Sequence, residues 1–167
     1  MSVKHLNRTM RSRQRGISMI EAMVALVVIS VGMLGVAGLY LSSLQAGRAA
    51  NLRTQAVNLA TEMADRIRAN RLAKTAYANA SGNLPSYVDC QTVFTCTPEQ
   101  LAQMDVNLWV NAIRSTLPGG NINATGTIVV TDLTASEGVK LTRYQVTVGW
   151  REAGSDINYS YPLVLEL

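Results

Sequence analysis

Residues 16–47 read GISMIEAMVALVVISVGMLGVAGLYLSSLQAG, and this stretch decides the fold. From Ala22 to Gly47, twenty-six residues pass without a charge, and the densest part is Ala22 to Leu41. Twenty helical residues at about 1.5 Å each reach about 30 Å, the thickness of a hydrocarbon core. A buried globular helix rarely needs so long an all-round apolar surface, so the run reads as a membrane span. Its flanks set the orientation. Lys4, Arg8, Arg11, Arg13 and Arg15 precede it with no acid among them, and only Arg48 and Arg53 open the far side. Cations stay on the cytoplasmic side, so the C-terminal body is expected to face outward. A cleaved secretory signal is the competing reading. The run exceeds the usual h-region of about 7–15 residues. The small-residue candidate at Gln45-Ala46-Gly47 has Leu44 as a poor partner, so a retained anchor fits better.

The same five cations explain the charge. The chain has 167 residues, fifteen Lys and Arg against eleven Asp and Glu, and a formal net charge of +4. Residues 17–167 hold ten cations and eleven acids, a side-chain net of −1. A strongly basic body suited to nucleic acid is therefore excluded as a general property. The one cationic cluster in the body, Arg66, Arg68, Arg71 and Lys74, reads as a solvated helix end.

Glu21 interrupts the apolar pattern that begins at Ile17. A carboxylate at mid-bilayer costs about 2.5–3.5 kcal/mol even on lenient scales, and less near the helix end. It is either an acid favoured by the dipole of a first helical turn or a charge awaiting a cation. The context decides between them. Arg13-Gln14-Arg15-Gly16-Ile17-Ser18-Met19-Ile20-Glu21 resembles the class III leader of type IV pilins and type II secretion pseudopilins. That leader is short and basic and ends in Gly. An apolar residue, a small or polar residue, two apolar residues and Glu come next, and an unbroken apolar helix follows. The resemblance implies cleavage by a prepilin peptidase between Gly16 and Ile17 and methylation of the new amino terminus at Ile17. It implies that Glu21 attracts the charged amino terminus of a neighbouring subunit during assembly. Such a pair gains strength in an apolar filament core, and each charge is costly if left alone. Ile17 stands where the family usually has Phe.

No Pro interrupts residues 17–84, and Ala49, Leu52, Ala56, Leu59, Met63 and Ile67 follow helical spacing. One helix is expected from Ile17 to Lys74, apolar all round in its first half and amphipathic in its second. Glu62 and Arg66 form a favourable i, i+4 pair. Gly32, Gly35 and Gly38 in the first half fit close helix packing in lipid, or a segment able to loosen on leaving the bilayer. Residues Thr75 to Thr95 read as a loop rich in turn formers. Cys90 and Cys96 lack the partners of a zinc site, and a local disulfide is expected in an oxidising compartment. Thr97-Pro98-Glu99-Gln100 is a helix start with a capping-box pattern. The apolar positions Leu101, Met104, Leu108, Ile113 and Leu117 follow, and Pro118-Gly119-Gly120 closes the helix. This Cys-Thr-Pro helix resembles the corresponding region of the PilV group of minor pilins. Thr127 to Asp132 reads as a strand. Thr142 to Trp150 alternates with Tyr144, Val146, Val148 and Trp150 on one side. Tyr159 to Leu167 alternates likewise, and Pro162 points to an edge or strand-start position. The last two strands should pair antiparallel beneath the amphipathic helix half. The expected class is α+β: a pilin fold with a long N-terminal helix on a small antiparallel sheet. Its divisions are a leader at 1–16, a membrane and assembly helix at 17–47 and a periplasmic body at 48–167.

The usual catalytic patterns are missing. The one histidine, His5, lies in the leader, and no phosphate-binding glycine loop appears. Asp132 with Glu137, or Glu152 with Asp156, read better as solvated turn acids than as a catalytic pair. No enzyme activity, cofactor, metal or small-molecule substrate is expected. The resemblance implies a minor pilin, anchored in the inner membrane by a single pass, that supports pilus assembly, adhesion and twitching motility. Its partners would be the prepilin peptidase, other minor pilins and the major pilin. A minor pseudopilin of a type II secretion system, or an anchored periplasmic binding module that never assembles, remain as alternatives.

Overall fold

A computed structural model of the chain describes residues 16, 18–92, 95–134, 140–152 and 154–167. The leader cations, His5, Ile17 and Glu137 lie outside the described residues. Helix α1 spans Met19–Ala69, and a 3-10 turn follows at Arg71–Tyr77. Helix α2 covers Pro98–Thr116, and a one-turn helix α3 covers Gly120–Asn123. Three strands follow among the described residues: β1 at Thr125–Thr134, β2 at Lys140–Arg151 and β3 at Asn158–Glu166. The chain divides into two compact units between Ala46 and Gly47.

The first unit is the N-terminal part of α1. Its large apolar side chains from Met19 to Leu44 are all exposed, and its most apolar eighteen-residue window has a mean hydropathy of 2.5 with none of it buried. Length and composition suffice for a membrane crossing.

The second unit is a helix-on-sheet body. Its sheet is antiparallel in the order β1-β2-β3, so β2 is central. Val146 on β2 faces Ile128 on β1 and Leu163 on β3. The alternation read from the sequence is realised: Tyr144, Val146, Val148 and Trp150 are buried, whereas Arg143 and Gln145 are exposed. Trp150 pairs with Tyr159 across the ladder, their rings stacked with centroids 5.8 Å apart. One core joins this face to the end of α1 and to the inner face of α2. From α1 it takes Ala56, Leu59, Ala60, Met63, Ala64 and Ile67, a three- and four-residue stripe. The alanines let the helices approach closely. Trp109 of α2 lies 2% exposed there and donates its Nε1–H to the Leu59 carbonyl at 2.8 Å. Gly126 on β1 completes the fit, since a Cβ there would come within 2.6 Å of the Trp109 ring.

Three expectations need correction. Helix α1 ends at Ala69 and not at Lys74. Asn70 leaves the helical region (φ −115°, ψ 57°) and donates from Nδ2 to the Pro98 carbonyl at 2.8 Å. An Asn side chain offers the backbone an alternative to the helix ladder, and here α2 supplies the acceptor. The segment from Thr75 is not wholly a loop. It starts within the 3-10 turn, and Asn79 forms an antiparallel bridge with Ile128, the next turn being made at Gly82 with φ +68°. On α2, Leu108 is exposed, whereas Asp105 and Asn107 are buried. Distant groups satisfy these polar residues: Arg66 and Tyr77 bind Asp105, and Asn107 donates to the Pro85 carbonyl at 2.8 Å. The buried face of α2 therefore includes Asp105 and Asn107 and leaves Leu108 out.

Candidate functional site

Glu21 sits in the first turn of α1, two residues past its start. Its amide donates to the Ser18 carbonyl at 3.0 Å, and the Ala22 amide donates to the same oxygen at 3.2 Å. Ser18 therefore stands at the helix boundary with an acid three residues on, the spacing of a capping box. That signal is local, two residues past Gly16 in the sequence. A first-turn carboxylate also complements the partial positive charge of the helix start. Glu21 is exposed, as are Gly16, Ser18 and the apolar residues behind them. Among the described residues of this unit the arrangement is thus a single acid at the head of a bare apolar helix, five residues past Gly16. Ile17, the expected new amino terminus, lies outside the described residues. A carboxylate placed there can draw a cation from another chain into an apolar environment, where the attraction is strong.

The other expected pair meets directly. Cys90 and Cys96 form a disulfide with Cα atoms 5.8 Å apart. It closes immediately before α2. There Thr97 accepts from the Gln100 amide, and the Gln100 side chain accepts from the Thr97 amide at 3.0 Å. The staple and the cap fix one end of α2 together. The Cys90 amide adds a contact to Met104 Sδ at 3.4 Å.

A buried polar network ties α2 to α1. Asp105 is 6% exposed and accepts from Arg66 Nη1 at 2.6 Å and from the Tyr77 hydroxyl at 3.0 Å. Arg66 also pairs with Glu62 at 2.7 Å. Burial works against the Arg66 charge, but hydrogen bonds to Glu62 and Asp105 outweigh it and raise the group. Burial, with the Asp105 charge behind it, pushes the Tyr77 phenol well above its ordinary value. Arg68 pairs with Asp65 at 2.7 Å. The expected cationic cluster is therefore split, with Arg66 and Arg68 both taken up by acids. Among the described residues no three metal-ligating side chains come together.

Two family models match this chain. Residues 11–37 match the prokaryotic N-terminal methylation motif. Residues 38–107 match a model described as Tt1218-like, type IV pilin Tt1218. The first holds Gly16, Ile17 and Glu21. The second runs from the apolar helix through the disulfide into α2. No curated protein and no solved structure matches.

Proposed function

We infer that this chain, which carries the leader and the body segment of a type IV pilin, is a minor pilin of the pilus. The prepilin peptidase cuts between Gly16 and Ile17, and Ile17 is methylated at its new amino group. The apolar part of α1 then holds the subunit in the inner membrane by a single pass, with the body in the periplasm. On assembly, Glu21 pairs with the amino terminus of a neighbouring subunit, and the apolar helix exchanges lipid for other pilin helices. The subunit joins or primes a filament with other minor pilins and the major pilin, and so supports adhesion and twitching motility. The observation that carries this reading is the exposed Glu21 in the first turn of α1, within the matched methylation motif and at the head of the exposed apolar stretch from Met19 to Leu44. The likeness of the Cys96-Thr97-Pro98 helix to the PilV group supports the minor role.

Intact mass of the membrane-extracted protein tests the processing. A chain that begins at Ile17 and carries one extra methyl group is expected, and an unprocessed Met1 start would refute it. Glu21 is tested by Glu21→Gln. Glutamine keeps a capping-box side chain at this position but loses the charge. If charge pairing is the role, Glu21→Gln enters sheared filaments at least tenfold less than wild type. Normal incorporation would assign the residue to helix capping alone. Copurification with pilus rather than secretion-system subunits separates the minor pilin from a pseudopilin.

A further inference from the structure

The fold leaves two cations of the helix-end cluster for a different use. Arg71 and Lys74 make no ion pair among the described residues. Both line a cavity of about 580 Å³, within the size range of small-molecule sites. The sheet contributes Asp132 on β1, and Thr142 and Tyr144 on β2. Thr75 adds a hydroxyl, and three leucines add apolar surface. Lys74 has φ 40° and ψ −112°, and it is the one non-glycine residue with positive φ among the described residues. Such a conformation costs about 1–3 kcal/mol and is found where a site holds it. A glycine would relieve the strain here, whereas the lysine adds a cation to the cavity lining.

The charges limit the ligand. Among the lining side chains, two cations stand against one carboxylate, which favours a ligand with a single negative charge, and a polyanion would bring further charges against Asp132. Asp132 accepts from the Thr142 hydroxyl at 3.1 Å and keeps acceptor capacity for another donor. Tyr144 is 2% exposed, and burial followed by the Asp132 charge raises its phenol, so it is a neutral hydroxyl at ordinary pH. The lining thus offers cations for a carboxylate, acceptors and hydroxyls for ring hydroxyls, and leucines for C–H faces. We propose that this cavity is a binding subsite for an acidic sugar residue. Its carboxylate lies between Arg71 and Lys74, and its hydroxyls are shared by Asp132, Thr75 and Tyr144. The site lies within the body and does not depend on the filament role.

The test uses the full chain in detergent micelles and saturation-transfer NMR. The probes are glucuronate, an oligosaccharide carrying one terminal glucuronate, a neutral oligosaccharide of the same length and a short single-stranded DNA. Both uronates should bind, with the neutral sugar at least tenfold weaker. Tighter binding of the oligomer would point to a polysaccharide source, and equal binding of the monomer to a free sugar acid. Either result supports the site. Arg71→Gln and Lys74→Gly should each weaken uronate binding about tenfold, with circular dichroism unchanged. Arg68→Gln should leave it unaltered, since Asp65 already takes that charge. Equal binding of neutral and acidic sugars would overturn the proposal. So would wild-type affinity in the Arg71 and Lys74 variants, or DNA displacing the uronate at lower concentration.

Discussion

Asp105 is the residue on which the polar side of the core turns. It is nearly buried, yet it takes hydrogen bonds from a guanidinium and a phenol that belong to distant parts of the chain. Removing the carboxylate takes an acceptor from both donors, leaving Arg66 its pair with Glu62 and Tyr77 the Arg66 carbonyl at 3.3 Å. Asp105→Ala should therefore cost about 2 kcal/mol, in the range for a hydrogen bond to a charged group. Asp105→Asn should cost less, because one oxygen remains. Denaturant midpoints of the detergent-solubilised chain would show the difference. Tyr77 adds a pH dependence of known sign. Burial raises its folded pKa above the ordinary 10.0, so the folded state holds this proton more tightly than the unfolded chain. Its contribution is intact below about pH 10 and is lost as the pH climbs toward the folded value. Tyr144 shifts in the same direction. Stability should fall on the alkaline side, and Tyr77→Phe should flatten part of that fall in alkaline denaturation followed by circular dichroism.

Among the elements, α2 and β1 are locked by the absence of a side chain. A Cβ at Gly126 would lie 2.5 Å from Ile113 Cδ1 and 2.6 Å from Trp109 Cζ3. The isoleucine end can yield, but the indole is pinned by its bond to Leu59. Gly126→Ala should cost about 2 kcal/mol by overpacking and change tryptophan fluorescence. Strand β3 carries a second constraint. The Thr142–Leu167 pair exchanges both amide bonds. By the antiparallel alternation, Pro162 opposite Thr147 then falls at a position whose N–H would point away from β2. Proline therefore removes no ladder bond here, only a donor on the open edge. Pro162→Val should restore that donor and raise self-association in sedimentation, without loss of monomer stability. These elements were legible in the sequence to unequal degrees. The alternation of Tyr144 to Trp150 and the Thr97 cap are local patterns, and both are present. The break at Asn70 is not local, since the Pro98 carbonyl that captures it lies 28 residues on. The exposure of Leu108 follows from where Asp105 and Asn107 find partners, which spacing alone does not encode. Glu21 was readable because its motif is contiguous. The cavity was not, because its lining comes from the 3-10 turn and two strands.

At the scale of the whole molecule, one chain answers to two surroundings. The apolar length of α1 needs lipid or other helices, whereas the body buries its own core. The charge follows the same division. The full chain has a sequence isoelectric point of about 9.3, carried by cations ahead of Gly16. If the leader is removed as proposed, the remaining side chains sum to −1, and isoelectric focusing of the extracted protein should place it far below 9.3. An unchanged basic focus would mean that the leader stays. The proline on β3 gains its meaning at this scale too. Tethered proteins diffuse in two dimensions and collide at high local concentration, always in similar orientations. An open strand edge under those conditions invites chance pairing between like neighbours. If the chain is anchored and assembles as proposed, the gap that Pro162 leaves in the row of donors allows such encounters to end without adhesion, so a reservoir of subunits stays fluid until the helix is recruited.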